Sequence, residues 1–136
     1  MIQSRPPASR PTAFLNVDLD LRAQSGLEEL LKSLGSSVVV LHQSKHEASV
    51  ELVSEFGTLE ETAANFVALI ESLSPRARNI WDEFESRTLN VGIQAGSEPH
   101  AASFEISSET IASLARAKVA VIFTVYAPPA HHHDNS

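Results

Sequence analysis

Cysteine is absent from this chain of 136 residues, which excludes disulfides, thiolate metal sites and cysteine nucleophiles together. Tryptophan, tyrosine and methionine occur once each, and the glycines number only five: Gly26, Gly35, Gly57, Gly92 and Gly96. Each glycine falls at an expected helix boundary, turn or strand irregularity, and none belongs to a GxGxxG or Walker loop, so there is no glycine-built phosphate cradle. HExxH, GxSxG and EF-hand patterns are missing too, and nothing marks a nucleophile among the serines. No apolar run approaches the roughly 18–20 residues that a membrane-spanning helix needs, and the first residues lack the basic-then-apolar layout of a secretory signal. The expectation is a soluble, cytoplasmic protein with no membrane association, no cofactor and no metal.

Basic residues are scarce as well. The chain has 10 Lys+Arg against 17 Asp+Glu, a formal net charge of −7. Arg5 and Arg10 lie in a Pro/Ser-rich leader and Asp134 lies in the tail, so the body between them is more acidic than the whole. An acidic surface without a Lys/Arg cluster disfavours nucleic acid and anionic membranes. It fits either plain solubility or a basic partner.

What is present is apolar periodicity. With 43% hydrophobic residues the chain can bury a core, and its length argues for one domain. Three of the seven prolines fall in residues 1–12, read as a flexible leader; residues 13–128 are read as a single domain and residues 129–136 as a His-rich tail. In residues 14–21, FLNVDLDL, strict alternation places Leu15, Val17, Leu19 and Leu21 on one face and Phe14, Asn16, Asp18 and Asp20 on the other, the mark of a half-buried strand. Leu27, Leu30, Leu31 and Leu34 form a helical stripe, with Ser25 and Glu28 as its capping box and Gly35 at its C-terminal end. Residues 38–42 and 48–56 read as a hairpin. Thr58 and Glu61 cap a helix whose apolar residues run from Leu59 to Leu73, and Ser74-Pro75 starts another carrying Ile80, Trp81 and Phe84.

Leu89, Val91 and Ile93 alternate with Thr88, Asn90, Gly92 and Gln94 in a further strand closed by a turn at Gly96 and Pro99, and a short returning strand is expected at residues 103–106. Ser107 caps the last helix, with Ile106 and Ile111 placed as a hydrophobic staple and Leu114 and Ala115 facing inward. The final strand, residues 119–126, is apolar on both faces near its start, which predicts a central position. The order βαββ, two helices, ββ, α, β predicts an α+β two-layer sandwich, a mixed and mainly antiparallel sheet with helices on one face. Its first part fits a ferredoxin-like βαββαβ plan, extended by a further strand–helix–strand.

On that plan the sheet face away from the helices carries the candidate binding residues Phe14, Asn16, Asp18, Asp20, Asn90, Gln94 and Tyr126, with Thr88 and Thr124 beside them. Asp18 and Asp20, roughly 7 Å apart along one side of a strand, could share a metal or act as acid and base, but a solvated strand face also needs polar residues there. Aromatic residues amid polar ones fit a partner or homodimer surface. His42 and His46 are too far apart on an extended strand to chelate one ion, so only a tight turn between them would bring them together, and Glu47 is a cross-strand neighbour expected for His42. His100 has no evident partner. The tract His131, His132, His133, Asp134 reads as a disordered tail end or an appended remnant rather than a physiological metal site, with weak nickel or zinc affinity at most.

The stretch FLNVDLDL and the C-terminal run RTLNVGIQAG followed by FEISSETIASLARAKVAVIFTVYAP resemble small bacterial proteins classed as domains of unknown function. The resemblance covers under half the chain, implies an α+β domain of bacterial type, and brings no activity and no functional residues with it. The leading expectation is a non-enzymatic interaction domain, of immunity-like kind, whose acidic surface binds a protein partner. A small-molecule-binding regulatory domain is the alternative, followed by a metal-dependent hydrolase using Asp18, Asp20 and a histidine.

Overall fold

The computed structural model describes residues 11–97 and 101–128. Most of the leader, the His-rich tail, Pro99 and His100 lie outside the described residues. The elements run β1 (Ala13–Arg22), α1 (Leu27–Leu34), β2 (Val38–Gln43), β3 (Glu47–Leu52), α2 (Leu59–Glu71), α3 (Pro75–Asp82), β4 (Ser86–Gln94), α4 (Ser108–Arg116) and β5 (Ala120–Tyr126). The fold is α+β, and the strands form one mixed five-stranded sheet in the order β2-β3-β1-β4-β5. Every neighbouring pair is antiparallel except β4 and β5, which are parallel. A parallel neighbour needs a crossover rather than a tight turn, and α4 supplies it.

The helices start where short polar side chains can accept orphan backbone N–H groups. Thr58 accepts from the Glu61 N–H at 3.1 Å and its hydroxyl donates to the Glu61 carboxylate at 3.0 Å. Ser74, with Pro75 in the first turn, accepts from Ala77 N, and Ser107 accepts from Thr110 N. Each such cap stabilises its helix by about 1 kcal/mol. Helix α1 departs from the expected box: Ser25 sits one residue outside it, and the capping position belongs to Gly26 with no side-chain bond. The reason is backbone conformation, because Gly26 has φ 84°, which serine adopts only with strain.

One cluster joins the helix layer to the sheet. Leu19, Val50, Leu89 and Val91 from the strands meet Leu30, Phe66, Ile70 and Trp81 from the helices, all at 1% exposure or less. Burying a side chain of this size contributes about 1.5–3 kcal/mol. Trp81 also has a polar end, and its indole N–H donates to the Ala117 carbonyl at 2.9 Å. The Arg87 guanidinium reaches the Trp81, Phe84 and Lys118 carbonyls, closing the C-terminal end of α3 over the start of β5. Across the helix layer, Arg76 of α3 pairs with Glu29 of α1, and Glu60 of α2 accepts from Ser107 and Thr110 at the start of α4.

Several expectations are corrected. Residues 103–106 form no strand; Phe104 and Ile106 pack against the core from a loop instead, using their apolar side chains without a ladder. Strand β3 ends at Leu52 rather than reaching Phe56. Ile111 is 53% exposed and does not close a buried staple with Ile106, while Ala117 rather than Ala115 turns inward at the end of α4. Strand β5 is an edge rather than a central strand. Its apolar residues on both faces reflect an uncovered edge, not burial.

Gly26, at the start of α1, lies against Ile80 of α3. A Cβ there would meet Ile80 Cγ2 of α3 at 2.7 Å on a backbone already at φ 84°. Gly26→Ala therefore combines left-handed strain with an overpacked contact, and a loss of about 1–3 kcal/mol is expected. Urea unfolding checks this: the midpoint falls while the slope stays that of the native chain.

Candidate functional site: the open sheet face

Because side chains alternate along a strand, the residues opposite the core define a second face, on which no helix packs among the described residues. The antiparallel register arranges it in cross-strand rows. His42 faces Ser49, Ser49 faces Asp20, and Asp20 faces Thr88. One step along, Asp18 faces Asn90, which faces Ile122 of β5. Beyond that, Asn16 faces Gly92 and Gly92 faces Thr124. Gln94 and Tyr126 end the face.

Of the residues expected here, Asn16, Asp18, Asp20, Asn90, Gln94 and Tyr126 do lie on this side. Phe14 does not. The pairing of β1 with β4 shifts between Phe14 and Asn16, so Leu15 is an extra residue in the ladder. An inserted residue reverses the alternation beyond it. Phe14 consequently lies opposite Ile93 and packs against the core, while Leu15, expected inside, is 53% exposed.

The polar groups divide into engaged and unengaged ones. Gln94 is engaged: its side-chain amide donates to the Ala95, Tyr126 and Ala127 carbonyls and pins the end of β5 to β4. The Thr124 hydroxyl donates to Asn90 Oδ1 at 2.9 Å, and the Ser49 hydroxyl donates to Asp20 Oδ1 at 2.6 Å. Asp18 is the exception, since its Oδ1 is buried and accepts no hydrogen bond among the described residues. Burial first, and then the negative charges of Asp20 and Glu51, hold the Asp18 carboxyl above its ordinary range. Neighbouring Asn16 stands over Gly92, where a Cβ would collide with its Oδ1 and would touch the Tyr126 ring at 3.7 Å. A side chain at position 92 would therefore lift Asn16 off the sheet.

The geometry bears on chemistry. Ser49, His42 and Asp20 share one row, but serine lies between the other two and gives its proton to the carboxylate, so the histidine is not placed to take it. Among the described residues no three His, Asp or Glu side chains gather to hold a metal. His46 lies in the turn between β2 and β3 rather than on a strand, and the two histidines have different partners: His42 faces Ser49, whereas His46 Nδ1 bonds to the Ala23 carbonyl at 3.0 Å and ties the hairpin to the end of β1. Glu47 does not face His42. The β2–β3 pairing shifts between Val40 and His42, which brings Ser49 opposite His42, and Glu47 pairs with Arg22 at 3.2 Å.

Ser49 and Glu51 are members of the face that the first reading of the strands left out. The alternation of Ala48, Val50 and Leu52, all packed in or against the core, was the available signal for them. Gly92 was visible only as an irregularity, because its role depends on Asn16 across the ladder. At one end of the face, Asn16 and Glu51 also line a cleft of about 380 Å³ together with Val39, Glu55 and Phe56. Among the described residues no helix is long and apolar enough to cross a membrane. No family model, curated protein or solved structure matches the chain.

The raised Asp18 carboxyl fixes a sign. The folded chain holds this proton more tightly than the unfolded chain, so its contribution to stability falls as pH rises through the window above the ordinary carboxylate value. Asp18→Asn removes that penalty. The variant should melt a few degrees above wild type at about pH 7, and the difference should close by about pH 3, where both states are protonated. Paired thermal melts across that range check it, and an equal or lower melting temperature at neutral pH would count against the assignment.

Proposed function

We propose that this protein is a non-enzymatic interaction domain that presents its helix-free sheet face to a basic protein partner, in the manner of an immunity protein. The single observation that carries the reading is the cluster at Asp18: a carboxylate with no side-chain or backbone donor on its Oδ1 among the described residues, held next to the like charges of Asp20 and Glu51 on a helix-free sheet face. A guanidinium or ammonium laid on this surface would neutralise the repulsion among Asp18, Asp20 and Glu51. Charge acts in the same direction at longer range, since a chain of net charge −7 attracts a cationic partner before contact. The surrounding Asn16, Asn90 and Tyr126 add neutral hydrogen-bonding and aromatic area of the kind found at interfaces.

We read β1–β4 with their helices as a ferredoxin-like unit, supported by the order β2-β3-β1-β4 with all three pairings antiparallel. In that reading α4 and β5 are an appended crossover. A second functional reading, a small-molecule-binding regulatory domain, has one observation in its favour: the cleft between the end of the sheet and the start of α2, lined by Asn16, Glu51, Glu55, Phe56 and Thr62. Its carboxylates select for a cationic ligand, so the two readings share a chemistry and differ in the size of what binds.

The test compares three baits in the same native lysate: wild type, a face variant combining Asp18→Asn, Asp20→Asn and Glu51→Gln, and a control combining Glu28→Gln, Glu71→Gln and Glu109→Gln on the helices. A partner retained by wild type and control at low salt, released at about 0.5 M salt, and lost from the face variant supports the proposal. Equal retention by all three baits, or no salt-sensitive partner at all, overturns it.

A further inference from the structure

The two edges of the sheet are built differently. Strand β2 is blunted: an extra residue, Leu41, breaks its pairing, and His42 and Gln43 follow, with Lys45 in the turn. Bulges and charges of this kind keep an edge from pairing with another chain. Strand β5 has neither device. Its pairing with β4 is unbroken from Ala120 to Tyr126, the segment AVIFTVY carries no charge and no proline, and β4 is its only strand partner among the described residues. Ile122, Phe123, Val125 and Tyr126 are each more than half exposed. Phe123 and Val125 lie on the helix side of the sheet, in register with the core residues Val91 and Ile93, but the helix layer does not reach far enough to cover them.

The direction of the free backbone groups follows from one hydrogen bond. The Tyr126 carbonyl accepts from Ala95 N at 2.9 Å, so the backbone of Tyr126 is turned toward the β4 side. Residues of a parallel strand alternate in this respect. Val121, Phe123 and Val125 therefore direct their N–H and C=O groups outward.

We propose that β5 pairs antiparallel with β5 of a second copy of this chain, about a two-fold axis at Phe123, to give one continuous sheet across a homodimer. The strand is its own complement about that point. Phe123 lies opposite Phe123, Val121 opposite Val125 and Val125 opposite Val121, so every outward N–H and C=O of these residues finds a partner on the other copy. The same register places Val121, Phe123 and Val125 of both copies on one side, forming an apolar cluster over the area that the helices leave bare. Two acidic chains can meet here because the strand itself has no charge, whereas apposing the open faces would bring Asp18, Asp20 and Glu51 of each copy together. Phe123 and Val125 bring exposed apolar area to the helix side of this contact, and Ile122 and Tyr126 flank it on the other side of the sheet. Tyr126 borders both regions, but the dimer rests on the backbone and helix-side residues of β5 and uses none of the carboxylates of the acidic face, so it stands or falls without that reading.

Sedimentation equilibrium of the full chain over about 1–500 µM tests the dimer. The mass should climb from 14.7 kDa toward twice that value. Phe123→Lys, which opposes two like charges at the axis, should weaken association at least 100-fold while keeping the far-UV circular dichroism of wild type; Val40→Lys on the other edge should leave association unchanged. The absence of cysteine gives a second measurement. Phe123→Cys should cross-link with itself under mild oxidation much faster than Val40→Cys, since strand partners at a bonded position lie about 5.5 Å apart. That comparison decides the matter if Phe123→Lys fails to fold. A wild type of 14.7 kDa at every concentration, a folded Phe123→Lys that still dimerises as wild type does, or equal cross-linking of the two cysteine variants overturns the proposal.

Discussion

Strand β1 is hydrogen-bonded along both edges and packed on only one face, and the rest of the molecule is arranged around that asymmetry. Its neighbours β3 and β4 take their register from it, and Val17, Leu19 and Leu21 direct the helices to a single side. The intervening Asn16, Asp18 and Asp20 are then held on the other side by the same backbone. A one-residue slip would drive carboxylates into the core, so the hydrophobic pattern that stabilises the fold also fixes where the acidic groups stand. Leu15 shows how narrow the constraint is. The extra residue reverses only the first part of the strand, bringing Phe14 onto the core and leaving the aspartates where they were.

The end of the helix layer is secured differently, through hydrogen bonds to carbonyl groups that regular structure leaves unpaired. Trp81 is fully buried but still needs an acceptor for its indole N–H, and Ala117 provides it from the turn after α4. Arg87, extending from β4, satisfies the Trp81 and Phe84 carbonyls and the Lys118 carbonyl together. Burial lowers the Arg87 pKa, yet a guanidinium stays protonated, so these bonds persist across the physiological range. Lys118 itself sits at φ 63°, the only non-glycine residue with positive φ among the described residues. The strain occurs where α4 must reverse into β5, which is also where Arg87 clamps the chain.

Much of this fold was legible in the sequence because local rules governed it. The alternation in β1 and β4, the leucine stripe of α1 and the capping residues Thr58, Ser74 and Ser107 each depend on spacing within a few residues. Apart from the Ser25 cap, lost to the backbone conformation of its neighbour Gly26, the main readings that failed depend on partners distant in sequence. Whether an apolar strand such as β5 is central or at an edge is decided by which strands pair with it, not by its composition. Residues 103–106 have strand-like spacing but no neighbour to pair with. Asn16, Asp18 and Asp20 could be placed on one face from alternation alone, whereas the unpartnered oxygen of Asp18 and the window at Gly92 exist only once β1 and β4 are in register.

The acidic face and the bare edge of the one sheet call on different forces. On β1 and β3 the unmet requirement is electrostatic: a carboxylate oxygen without a donor among the described residues, near two further carboxylates. On β5 it is apolar area and unpaired backbone, with no charge in the strand. Salt screens the first and leaves the second nearly untouched, and if anything strengthens it where the ions are excluded from protein surface. A contact on the acidic face would thus weaken with ionic strength while one along β5 would hold. That separation follows from β4, which stands between the two regions and offers to the open face only Thr88, Asn90, Gly92 and Gln94, none of them charged and none of them strongly apolar.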